Sequence, residues 1–409
     1  MKSQILVLCL LAFAYSCSNS GTTENKTNNL DTNTISKNTV NDSLTVEPVK
    51  IDSTIIETTF KINDSLNEIA NIIAGNFKNT NSEFKYLLKN KDYLNYSSNF
   101  NSRWIKYDTT RLERLKLFQQ KVLSKNTKPA QTLFYPFSGP DILYAYTFFP
   151  EVENYIMVGL EPVGTLPKFT NNPEDSIVNY FNKINTSLNA ILKFSFFRTE
   201  SMSKDLKNEE VDGTLHLLFL FLNRTGNSII SAKPVSIDST GNLFDKNNFV
   251  ELKKSNYRTK GIQIKFITNT NQVKTITYFS LNAANDGLSK NKGFTTYLNQ
   301  LNNFNTYLKG ASYLLHSAHF SIIRNIILNG SNCIVQDDSG IAFKYFDDTK
   351  FSFKFFGDYV KPISLFSKNY QKDLDSVWHS QGSEKIGFGI GYNFKDNNSN
   401  LLIATKIKK

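Results

Sequence analysis

Forty-seven Lys and Arg residues against 36 Asp and Glu give this 409-residue chain a formal charge of +11. Seven of those cations are Arg and the lysines are scattered, so the clustered basic stripe of a nucleic-acid binder is missing and nucleic acid is excluded as a partner. Abundant Lys, Asn, Ile, Phe and Tyr fit an A+T-rich coding bias, which accounts for the 13% aromatic content without a sugar-stacking surface.

The chain opens with Lys2 and an apolar stretch over residues 5–14, the charge-then-hydrophobic order of an export signal. The stretch falls short of the roughly 20 apolar residues a spanning helix needs. Ser16-Cys17 closes it and resembles the lipobox of bacterial lipoproteins, although Ala14 and Tyr15 stand where Leu and a small residue are usual. The resemblance implies lipidation of Cys17, a signal peptide over 1–16 and an address on the bacterial envelope, at the periplasmic or surface face of the outer membrane. Acyl chains would make the membrane a partner while leaving the body water-soluble.

Residues 18–59 hold no aromatic residue before Phe60 and are dense in Ser, Thr, Asn, Asp and Lys. Such a segment cannot offset its ordering entropy by burial, so 17–59 reads as a lipidated, disordered tether. About 40 flexible residues reach roughly 35 Å. Asp42-Ser43-Leu44 and Asp52-Ser53-Thr54 resemble O-glycosylation sites of some Gram-negative bacteria.

From residue 60 the pattern predicts an α+β body of mixed helices and a largely antiparallel sheet. Helices are expected from Asp64 to Gly75, over 82–96, and after Thr109-Thr110 with Leu112, Leu115, Phe118 and Val122 on one face. Strands are expected at 132–137, 142–149 and 154–160. A helix should start near Pro173, carrying Ile177, Phe181, Ile184 and Leu188 inward. Strands at 193–197 and 214–222 follow, then a hairpin of 261–268 with 273–280 that has one wet face. Residues 295–309 read as a helix stopped at Gly310, and 321–328 as another.

Leu133…Ser138-Gly139…Gly159-Leu160-Glu161-Pro162 has a faint echo in Ile334…Ser339-Gly340…Gly357-Asp358…Pro362. A duplication would give two related lobes, 60–235 and 236–409, with a cleft between them; the alternative is one domain with shared turn residues. Residues 135–141 (Tyr-Pro-Phe-Ser-Gly-Pro-Asp), 159–164 (Gly-Leu-Glu-Pro-Val-Gly) and 336–340 (Gln-Asp-Asp-Ser-Gly) also resemble blocks of an uncharacterised family of bacterial exported and lipid-anchored proteins. That resemblance implies secretion and no particular chemistry.

Candidate site residues gather at the same turns. Ser138, with His316 as base and Asp337 orienting it, would be a hydrolase set, but Ser138 lacks the Gly-x-Ser-x-Gly elbow. Glu161 is a candidate general acid, and Arg198 could pair with such an acid. Asp141, Asp338 and Ser339 are candidate binding residues, or simply turn formers. His316 and His319, three apart, with Asp337 or Asp338, have ligand types that zinc accepts; without a diagnostic third spacing no metal is expected, and no cofactor motif is present. His216 and His379 read as structural. Cys333 should be a small buried thiol with no partner for a disulfide. The sequence favours a binding or envelope-maintenance protein, with an envelope protein or glycan as ligand, over an envelope hydrolase, and does not decide between them.

Overall fold

The structure, a computed structural model, describes residues 60–167, 169, 174–194, 212–246, 259–395 and 398–407. The signal, Cys17, the tether, Pro173, residues 195–197 and Arg198 lie outside the described residues. Residues Thr59–Lys409 form one compact unit. Eleven α-helices and a ten-stranded mixed sheet are present among the described residues, an α+β content as the sequence predicts. No helix among them is long and apolar enough to cross a membrane.

Strands are numbered in chain order: β1 (Thr132–Tyr135), β2 (Asn154–Gly159), β3 (Ser228–Ile237), β4 (Leu243–Asp245), β5 (Lys260–Ile267), β6 (Val273–Ser280), β7 (Phe304–Leu308), β8 (Ser331–Gln336), β9 (Phe351–Gly357) and β10 (Asn400–Lys406). Their order in the sheet is β4-β3-β5-β6-β2-β1-β7-β8-β10-β9. Five of the nine pairings are antiparallel. The four parallel pairings are contiguous and make the centre, β6-β2-β1-β7-β8.

The centre is doubly wound. From β1 the chain moves one way to β2 and β6, then returns to the other side of β1 for β7 and β8. The helix Ile142–Phe148, which links β1 to β2, packs in the core on one face of the sheet together with the helices Asp64–Ile73 and Leu215–Arg224. The helices Lys292–Gln300 and Ser321–Gly330, which precede and follow β7, bury Phe294, Leu298, Ile323 and Ile327 in a second core that also holds Phe134, Ile156 and Ile334.

Four segments differ in type from the sequence expectation. Residues 142–148 are helix where a strand was expected, because β1 and β2 are parallel and a tight hairpin cannot join parallel strands. Asp141 starts that helix by accepting a bond from the Tyr144 amide. Residues 215–224 are also helix: every residue from Leu215 to Leu222 is buried, so the apolar run wraps all faces and shows no helical period. The expected helix 295–309 ends at Gln300, and after Asn303, whose φ is 54°, the chain becomes β7, buried along its length between β1 and β8. Lys193 and Phe194 end the helix Glu174–Phe194 instead of opening a strand.

The two-lobe reading gives way to the single domain. Residue 235 lies inside β3, and strands from both halves alternate in one sheet. The duplication fails for a related reason. β1 leads through a helix to a parallel neighbour, whereas β8 leads to β9, which pairs antiparallel with β10.

Candidate functional site

In an open, doubly wound sheet, the connections leave opposite faces where the strand order reverses and open a crevice at the carboxyl ends of the strands. Here the reversal lies between β1 and β7. Four of the parallel strands lead to this edge; three end next to residues the sequence singled out, and the fourth next to Lys309, which it did not. Ser138 and Asp141 follow β1, Glu161 follows β2, Lys309 follows β7, and Asp337, Asp338 and Ser339 follow β8.

An ion pair spans the reversal. Lys309 Nζ lies 2.6 Å from Asp141 Oδ2, with the two side chains 1% and 2% exposed. The Tyr135 hydroxyl donates to the same carboxylate oxygen at 2.9 Å, and the Tyr144 amide donates to the other at 3.2 Å. The ammonium also stands 3.3 Å from the Tyr144 ring centre, a cation–π contact away from water. Burial pulls the Lys309 ammonium down to about 8, against the carboxylates of Asp141 and Asp337. Burial likewise raises Asp141, with Lys309 opposing. Stranding one charge of such a buried pair costs about 3–5 kcal/mol, whereas neutralising both is often tolerated.

Asp337 and Asp338 point to different neighbours. Asp337 Oδ2 accepts the Gly310 amide at 2.8 Å, and its Oδ1 accepts the Ser339 amide at 3.0 Å and the Ser339 hydroxyl. Ser339 Oγ in turn accepts the Ala311 amide at 2.8 Å. Asp338 accepts the Tyr313 hydroxyl at 2.6 Å and Asn400 Nδ2 at 3.1 Å. These bonds hold a left-handed stretch after β7 in which Gly310, Ser312 and Tyr313 have φ of 59°, 54° and 55°. For Ser and Tyr that conformation costs of order 1–3 kcal/mol each, and such strain gathers at functional sites. Burial raises both carboxyls, Asp338 to about 7 with the Asp337 charge adding to the rise.

Glu161 is 1% exposed and folds back over the end of β2. Tyr278 donates to its carbonyl at 2.8 Å, and a Cβ at Gly159 would stand 2.4 Å from Glu161 Oε2, 2.6 Å from the Tyr278 hydroxyl and 3.1 Å from Gly139 Cα. Gly159 therefore leaves the room in which the carboxylate meets the Gly139 turn. On the other side of β1, the Tyr307 hydroxyl is fully buried with no hydrogen-bond partner among the described residues; it feels the charges of Asp141 and Asp337 and the hydroxyl of Tyr144.

The hydrolase set does not assemble. Ser138 gives its hydroxyl to the Gly139 carbonyl at 2.9 Å and its amide to the Val158 carbonyl, also at 2.9 Å. His316 sets its ring edge-on to Tyr313, 5.1 Å between centres, and burial lowers it to about 4. Asp337 is fully engaged as described, and no hydrogen bond joins any two of the three. His316 and His319 lie on successive 3₁₀ turns, Leu314–His316 and Ala318–Phe320, and not on one helical face. No group of three His, Cys, Asp or Glu side chains among the described residues could hold a metal ion.

His216 is a buried partner of Tyr180, 2.7 Å from its hydroxyl, and His379 is an exposed helical residue beside Asp375. Cys333 is a buried free thiol pushed up to about 12 by burial. A groove of about 440 Å³ lies at the opposite edge, beside Asn302, Asn303, Phe304, Asn325 and Asn329, and no titratable side chain lines it.

Sequence reasoning missed Lys309, Tyr135, Tyr144, Tyr307, Tyr313 and Asn400. The first was hidden as the last residue of an expected helix; the tyrosines carry no local signal that separates them from core residues. Fold and edge together define a doubly wound α+β protein with a buried ionic cluster at its strand reversal. Searches against protein-family models, curated proteins and solved structures find no match to the chain.

Proposed function

We propose that this chain is a lipid-anchored envelope protein, attached at Cys17, whose body binds a small polar ligand at the carboxyl edge of its parallel strands. The observation that carries the reading is the gathering of Asp141, Glu161, Lys309, Asp337, Asp338 and Ser339 at the ends of four parallel strands around one reversal of strand order. Ionisable groups brought together and shifted by burial mark functional sites more often than chance positions. Attachment is assigned from the signal-and-cysteine order of residues 1–17, and the outer membrane, at its periplasmic or surface face, is the proposed location. Binding is preferred to hydrolysis because Ser138 and Asp337 are bonded to other groups, and His316 packs its ring against Tyr313 with no hydrogen bond to either of them.

The test is the unfolding temperature of the full chain in detergent against adenosine, N-acetylglucosamine, glutamate and glycine betaine. A ligand at one hundred times its Kd stabilises the folded state by about 2.7 kcal/mol. At least one compound should raise the temperature in the wild type and not in the Asp141→Asn/Lys309→Met double variant, which removes both charges without stranding either. Equal shifts in both proteins, or none in the wild type, would contradict the reading.

A further inference from the structure

We propose that the ligand of this edge is a ribonucleoside without phosphate, its ribose hydroxyls taken by the Glu161 carboxylate. The inference rests on reading the edge as a binding site and names the class of molecule bound there.

In doubly wound sheets that bind nucleotides, the ligand lies over the turn after the first strand. A carboxylate at the end of the second strand, about 20 residues on, accepts from the ribose. In this chain Gly139 forms that turn with φ of 52°, and Glu161 follows β2, 22 residues later. The two are brought together in space, since the same missing Cβ at Gly159 would touch both Glu161 Oε2 and Gly139 Cα. The Tyr307 hydroxyl, buried with no hydrogen-bond partner among the described residues and sensing the charges of Asp141 and Asp337, leaves hydrogen-bonding capacity at the strand reversal.

The chemistry of the turn argues against phosphate. Residues 136–141 contain one glycine and lack the Gly-x-Gly-x-x-Gly backbone that lets a pyrophosphate approach. The helix that follows has seven residues, and the Asp141 carboxylate already occupies its cap. Asp141, Glu161, Asp337 and Asp338 outnumber Lys309 and the nearby Arg111, a balance that repels an anion and accepts a neutral or cationic nucleoside. Glu161 is 1% exposed, so binding must displace the groups that cover it.

Calorimetric titration of the full chain in detergent with adenosine, uridine, their 2′-deoxy counterparts and ADP tests the proposal. One of the ribonucleosides should bind, its 2′-deoxy form at least roughly ten-fold more weakly, as for loss of a hydrogen bond to a charged group. ADP should bind no tighter than adenosine. Glu161→Gln should weaken the ribonucleoside by a similar factor with the unfolding temperature retained. If that variant does not fold, the deoxy comparison on the wild type still decides. Equal affinity for ribose and deoxyribose forms, or tighter binding of ADP, overturns the proposal. Absence of nucleoside binding while N-acetylglucosamine, glutamate or glycine betaine stabilises the wild type and not the double variant overturns the nucleoside and keeps the edge. Absence of all binding overturns both.

Discussion

Asp337 and Asp338 are adjacent in the chain and differ in what surrounds them. The first is tied by two backbone amides and a hydroxyl, whereas the second faces Tyr313 and Asn400 and is raised to about 7, first by burial and then by its neighbour's charge. A carboxyl whose pKa is higher folded than unfolded binds more protons in the folded state between the two values. Its contribution to stability is therefore complete below its ordinary value of 3.8 and is lost as pH rises through about 7. Wild-type stability relative to Asp338→Asn should fall between pH 4 and pH 7 in urea unfolding; a flat or rising difference would refute the assignment. Taking the difference removes His316, which is lowered to about 4 and pulls stability the opposite way in that window. The carboxylates and Ser339 were legible in the sequence because acids beside glycines mark turns with exposed chemistry. Lys309 was not, since nothing local distinguishes a lysine that will be buried against Asp141 from one on the surface.

At the scale of elements, period and caps were good guides wherever one face of a helix or strand meets solvent. The helix Asp64–Ile73 and the antiparallel pair β5–β6 lie where alternation places them. Two of the three places where helix stands for an expected strand are almost completely buried: Leu215–Leu222 is buried throughout, and Ile142–Phe148 nearly so. Burial on all sides erases the periodic signal, and length and caps become the remaining clues. Asp141 three residues ahead of Tyr144 was such a cap, and it was read as a turn. The converse error, β7 read as helix, hid the switch point itself, because the strand between β1 and β8 is what turns two sequence-distant loops into one edge.

At the scale of the molecule, chain halves that seemed separable in sequence interleave in one sheet, since parallel neighbours must be supplied from distant segments. No local pattern records which strand lies beside which. The proposed anchor makes a prediction of its own: Cys17→Ala should move the protein from the membrane to the soluble fraction with its unfolding temperature unchanged, and membrane retention would remove the anchor claim. The central claim concerns where on this body a ligand sits. Hydrogen exchange of the full chain, with and without the compound that raises its unfolding temperature, should show protection confined to residues 136–141, 159–163, 309–313 and 337–340. Protection at the opposite edge, over 298–304 and 325–330, with none at the strand reversal, would contradict it.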